Sequence, residues 1–115
     1  GDAADRIPLD IATQILRVLQ EALVNAYRHS HASRVAVRLY GTSTKVRLEV
    51  EDDGVGFDPA GVPESRMGVR IMRQRMEQID GSLEIVPAAP QGTVLVAEAP
   101  VHYLSASPLR VEGRV

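Results

Sequence analysis

Cysteine is absent from the 115-residue chain, so it holds no disulfide framework, no thiol nucleophile and no cysteine-ligated zinc. A cysteine-free chain fits the cytosol, but redox chemistry does not decide the compartment. No apolar run approaches the roughly 20 residues that span a bilayer, which argues against membrane contact by this segment. An excess of basic charge is lacking too. With 13 Lys and Arg against 15 Asp and Glu the formal net charge is -2, and nucleic acid normally calls for a concentrated basic patch. Internal repeats, low-complexity tracts and a signal-peptide pattern are likewise missing. The chain opens on Gly1 rather than Met, which reads as a segment of a longer protein with a residual tag residue at its head.

What is present is the composition of a soluble globular domain, 44% hydrophobic and 24% charged, at a length that supports one core. Residues 1–9 read as a polar lead-in, 10–100 as the folded unit and 101–115 as an aperiodic tail. Pro8 sits where a helix start tolerates a missing amide donor, and Ile11, Ile15, Val18, Ala22 and Ala26 then keep a helical period. Alternation over 34–40 and 45–51, around the turn-rich Gly41-Thr42-Ser43-Thr44, predicts an antiparallel hairpin. A second amphipathic helix comes after Gly68, carrying Val69, Met72, Met76 and Ile79, and Asp80-Gly81 stops it. Core packing is the plain account of Met72 and Met76. Residues 82–86 and 93–99 read as a second strand pair.

Three stretches carry polar residues that core packing does not explain. On the first helix, Glu21, Asn25 and the Arg28/His29 pair recur at four, three and four positions, so they rise along one side. A carboxylate, a carboxamide and two basic groups in one column suit an anionic, metal-bearing ligand; the alternative is a solvated helix face. The hairpin runs directly into Asp52-Asp53-Gly54-Val55-Gly56, where closely spaced glycines let the main chain approach a ligand. A plain acidic turn is the competing account, and the acidic spacing fails a calcium loop. Residues 58–66, with two prolines and a glycine, read as a mobile surface loop and a lid candidate ahead of a helix start that favours anions.

In this order and spacing the segments resemble a known family. Glu21-Ala22-Leu23-Val24-Asn25-Ala26-Tyr27-Arg28-His29-Ser30 resembles the N box of sensor histidine kinases, and Asp52-Asp53-Gly54-Val55-Gly56 the D-x-G-x-G box that comes after it. Gly68 to Arg75 resembles the next box and Gly92 to Val96 the last, so the resemblance covers roughly residues 10–100. It points to the ATP-binding catalytic domain of histidine kinases, in the GHKL ATPase superfamily. The Glu21 to Asn25 spacing and the Met72-Arg73-Gln74-Arg75 run are most similar to the nitrate-sensor subgroup. Two positions depart from the pattern: Arg66 and Ile71 stand where glycine is frequent.

The resemblance implies an α+β fold, a two-layer α/β sandwich of the Bergerat type, with a mixed sheet covered on one face by helices. It implies ATP and Mg²⁺ as cofactors. By the same token Asp52 would accept the adenine amino group, with Gly54, Gly56 and Thr93 beside the base. Asn25 and Glu21 would serve metal and catalysis, and Arg28, His29, Gly68 and Val69 the phosphates. Partners implied are a histidine-bearing dimerisation domain of the same homodimeric parent and a response regulator, in a cytoplasmic setting compatible with membrane anchoring of the parent. The strand that usually precedes the N-box helix is cut away in this chain, which predicts an exposed sheet edge. The alternatives are a non-catalytic nucleotide-binding or docking module and a GHKL-type protein serine kinase.

Overall fold

The computed structural model describes residues 7–55, 67–88, 90–101 and 109–115. Helix α1 (Leu9–Val24) starts at Pro8, whose extended backbone (φ -50°, ψ 142°) leaves its carbonyl to accept the Ala12 amide at 2.8 Å. Its missing amide donor costs nothing there, and Asp10 in the first turn complements the helix dipole. The helix buries Ile11, Ile15, Val18 and Ala22. At Asn25–His29 the backbone widens into a π-helical turn, and the Ser30 amide reaches back five residues to the Asn25 carbonyl at 3.0 Å.

Strands β1 (Val35–Gly41) and β2 (Lys45–Asp52) form the expected hairpin. Helix α2 (Met67–Glu77) leads to β3 (Ser82–Pro87) and β4 (Thr93–Pro100), and β5 (Leu109–Arg114) completes the chain. Asp80 takes the left-handed conformation (φ 58°) that ends the α2 region, and the Gly81 amide returns to the Met76 carbonyl at 2.7 Å. Both helices pack on one face of the sheet, giving the α+β sandwich that the sequence implied. The core lies between the layers, where Val18, Val46, Leu48, Val69, Met72 and Met76 are fully buried.

The sheet differs from expectation in two respects. Its order is β3-β4-β2-β1-β5 with every adjacent pair antiparallel, not mixed. The crossover through α2 does make β3 run parallel to β2, as such crossovers do, but β4 inserts between them and is antiparallel to both. Secondly, the segment read as tail contributes β5, which pairs with β1 from Ala36↔Arg114 to Gly41↔Leu109 and covers the edge expected to be exposed. An edge strand is held by backbone hydrogen bonds and needs no apolar alternation, so the pattern of residues 111–115, all exposed, carried no signal of it.

The outward face of the sheet is a ladder of ion pairs. Arg38 bonds Glu49 and Glu51 at 2.8 Å each, Arg47 bonds Glu49 at 2.7 Å and Glu98 at 3.0 Å, and Lys45 reaches Glu98 at 2.9 Å. Burial pushes the Glu49 carboxyl up, but the hydrogen bonds from Arg38 and Arg47 outweigh it and hold the group below the usual range. The inward rows of β2 and β4 are apolar until the end of the sheet. Replacing Leu48, at the centre of this core, by alanine should lower the unfolding free energy by about 2–5 kcal/mol. Urea titration should show this as a lower midpoint at unchanged slope.

Candidate functional site

The pleat of the sheet places the first functional pair. Along β2 the inward positions are Val46, Leu48, Val50 and then Asp52, and on β4 they are Ala99, Ala97, Leu95 and then Thr93. Asp52 and Thr93 are register partners and are 9% and 7% exposed, so the apolar rows end in a buried carboxylate beside a buried hydroxyl. Asp52 Oδ1 accepts the Gly54 amide at 2.9 Å. Burial pushes the Asp52 carboxyl up, and the Gly54 and Thr93 amides offset that only in part. The neighbouring Asp53 points the other way: its carboxylate accepts the Ser33 hydroxyl at 2.6 Å and the Ser33 and Arg34 amides at 2.8 and 2.9 Å. Those bonds, the Ser33 hydroxyl foremost, hold its carboxyl below the usual range. Asp53 fastens the start of β1, and Asp52 alone of the two faces inward.

Two glycines bring main chain against this pair. Gly92 has φ +110°, and a side chain there would collide with the Asp52 carbonyl. Gly54 sits against Ser30, where an added Cβ would lie 2.6 Å from the Ser30 Cβ, and the Val55 amide donates to the Ser30 carbonyl at 2.9 Å. Ser30 is buried directly after the π turn. The helix end therefore clamps the loop that leaves β2.

Between these elements lies a small cavity that opens to solvent. Ala22, Val50, Ile85 and Leu95 give it apolar walls, and Asn25, Ser30, Asp52 and Thr93 supply convergent polar groups. At one side the start of α2 closes in: a Cβ on Gly68 would run into the Glu21 carboxylate and lie 3.5 Å from Asn25 Oδ1. A cavity with apolar walls and a buried carboxylate in its lining suits an aromatic base that carries an amino group. The half-buried Glu21 and Asn25, facing the first turn of α2, suit the charged end of the same ligand.

The structure thus brings together Asp52, Thr93, Gly54, Asn25, Glu21 and Gly68 from distant parts of the sequence. Arg28 and His29 do not line the cavity; both are exposed on the π turn, whose wider winding breaks the single column that an α-helix would have made. The Val69 side chain is buried in the core. Gly56, Arg66 and the lid candidate at 58–66 lie outside the described residues. Ser30 closes the N-box stretch in the sequence, but sequence reasoning assigns it no site role; its contact with Gly54 depends on two distant segments meeting.

The family model of histidine kinase-, DNA gyrase B- and HSP90-like ATPases matches residues 10–103. The chain belongs to this family. Sensor histidine kinase LiaS of Bacillus subtilis is 35% identical over 91 residues, 79% of this chain and 25% of that protein. Sensor protein VraS of Staphylococcus aureus is 31% identical over 97 residues, 84% of this chain and 28% of that protein. The chain therefore spans about a quarter of the length of these curated relatives. The histidine kinase domain of a blue-light activated histidine kinase from Erythrobacter litoralis shares the fold with a TM-score of 0.72 at 28% identity, covering 83% of this chain and 46% of that one. The ATP-binding domain of PrrB from Mycobacterium tuberculosis gives 0.65 at 22% identity over 77% and 68% of the two chains, a likeness of fold. Among the described residues no helix is long and apolar enough to cross a membrane.

The burial of Asp52 has a consequence for this ATPase-family domain before any ligand binds. Its carboxyl value is raised by folding, so its stabilising contribution is present at acid pH and is lost as pH rises through the raised value. Asp52→Asn, which stays neutral, should therefore raise the melting temperature of the nucleotide-free chain at pH 7. The gain should fade below about pH 4, where an ordinary carboxyl is itself protonated. Thermal unfolding across a pH series checks this, and equal melting temperatures at pH 7 would remove the cost assigned to burial.

Proposed function

We propose that this domain, residues 10–100, binds Mg-ATP in the cavity and presents the γ-phosphate to a histidine on a separate helical dimerisation domain of a homodimeric parent, for onward transfer to a response regulator. The observation that carries the reading is the buried Asp52 carboxylate in the lining of an apolar-walled cavity, beside Thr93. The Gly54 amide already holds Asp52 Oδ1, and the exocyclic amino group of adenine offers the buried carboxylate a further donor. Thr93 adds a hydroxyl at the same level, and Gly54 lets the main chain pass beside the base. The need for ATP favours a cytoplasmic setting.

The donors near the phosphate end fit magnesium delivered with the nucleotide. Mg²⁺ keeps most of its waters and takes one or two protein oxygens plus phosphate oxygens. Asn25 and Glu21, meeting across Gly68, offer two such oxygens, and among the described residues no cluster of three acidic or histidine side chains offers a free-standing metal cage. When bound, the ion would neutralise charge on the phosphates. The chain's own part is positioning. Asn25 fixes the phosphate tail relative to the base, Glu21 orients the incoming nucleophile or a metal-held water, and the amides at Gly68 and Val69 face the phosphates from the start of α2. Arg28 and His29, exposed on the π turn, would contribute positive charge or donors to phosphate oxygens from outside the cavity. The presence of both Glu21 and Asn25 favours transfer over passive binding.

Loss of a charge-assisted hydrogen bond costs about 1.5–3 kcal/mol, so Asp52→Asn should weaken ATP binding roughly 10- to 150-fold. Equal calorimetric affinities of wild type and variant would refute the base-binding role. Asn25→Ala should leave adenosine binding nearly intact while removing most of the affinity gained on adding Mg²⁺.

In-line placement of acceptor and γ-phosphate supplies most of phosphoryl-transfer catalysis, and among the described residues no histidine lines the cavity. Incubated with γ-labelled ATP, the chain should not label itself but should label a matched histidine-bearing dimerisation domain added in trans, and Glu21→Ala should abolish that labelling. Acid-labile label on the domain alone would contradict the division of labour.

A further inference from the structure

Strand β5 lies beyond the residues matched by the family model, which end at 103, yet the residue after it touches the π turn that carries Asn25. Its ladder with β1 runs toward the end of the sheet that holds Asp52: Arg114 pairs with Ala36, and the Val115 amide donates to the Val35 carbonyl at 3.1 Å. Val35 is itself the register partner of Asp52. At that point the Val115 carbonyl accepts the Tyr27 hydroxyl at 2.6 Å. Tyr27 is the central residue of the π turn Asn25–His29, which carries Asn25 at its start and delivers Ser30 to Gly54 at its end.

A π turn is an inherently unfavourable winding that persists where neighbours hold it. Here Ala26 holds it from the core side, while Tyr27, 45% exposed, is held on the outside by β5. Relaxation to an α-helix would absorb the extra residue and swing Ser30 and the chain beyond it by about 100° around the axis, one residue's rotation. Ser30 would leave Gly54, and the base-binding loop would lose its support.

We propose that β5 is a positioning element of the nucleotide site, with Tyr27 as the positioning residue: docking of residues 109–115 on the β1 edge holds the π turn in the winding that nucleotide binding uses. This rests on the Mg-ATP reading of the cavity. Whatever lifts β5 from the edge, where it is paired on one side only, lowers nucleotide affinity at a distance.

Two variants of the full chain test it. Tyr27→Phe keeps the ring and deletes the hydroxyl, and Val115→Pro deletes the amide that anchors the end of β5. Each should speed hydrogen exchange at the Ser30 and Ala32 amides by about 3- to 10-fold, the worth of one hydrogen bond, and weaken Mg-ATP by a similar factor. Exchange at Leu48, in the central strand, should be unchanged. The double variant should be no worse than either single one, because both cut the same link. Wild-type exchange in both variants would overturn the proposal. So would faster exchange with unaltered nucleotide affinity, or acceleration shared equally with Leu48, which reports global destabilisation. If the wild-type chain bound no nucleotide, the Mg-ATP reading and the positioning role would fall together. Exchange at Ser30 and Ala32 would then still show whether β5 holds the turn.

Discussion

A carboxylate buried where an apolar row ends is the constraint around which the site is assembled. Asp52 takes the last inward position of β2 because a strand alternates strictly, and Val46, Leu48 and Val50 commit that parity to the core. Burial disfavours its charge, and the structure compensates incompletely: the Gly54 amide, the Thr93 side of β4 and a main chain brought close by Gly92 surround it without neutralising it. The remaining demand for a donor is what a ligand can meet.

The outer face of the same sheet shows the opposite arrangement. Arg38, Arg47, Lys45, Glu49, Glu51 and Glu98 outnumber the polar groups that line the cavity, but each is matched by a partner within 3.0 Å. Such pairs contribute little individually and present no unmet hydrogen-bonding need. Asp53 belongs with them in this sense, since Ser33 and Arg34 satisfy its carboxylate. Adjacent acidic residues in one motif therefore have separate work: one fastens the start of β1, and the other faces the cavity.

The π turn joins the two layers. By taking one more residue per turn than an α-helix it keeps Asn25 on the cavity side, buries Ser30 against Gly54 and turns Arg28 and His29 to solvent. Helical periodicity alone would have stacked Glu21, Asn25, Arg28 and His29 in a column. The turn is supported from within by Ala26 and from without by Tyr27 bonded to Val115, residues 88 positions apart.

Periodicity by itself determined most of the scaffold. The spacing of Ile11, Ile15, Val18 and Ala22, and of Val69, Met72 and Met76, specifies two one-sided helices, and the alternation of Val46, Leu48 and Val50 specifies a sheet face, because local backbone geometry translates spacing directly into direction. Motif order was also enough to indicate the family. Tertiary structure alone decided the convergence of Gly68 on Glu21 and Asn25, the insertion of β4 that makes the sheet wholly antiparallel, and the capture of residues 109–114 on the β1 edge. These depend on contacts between distant segments and on backbone hydrogen bonds, which are indifferent to side-chain type and so leave no mark in the pattern of residues.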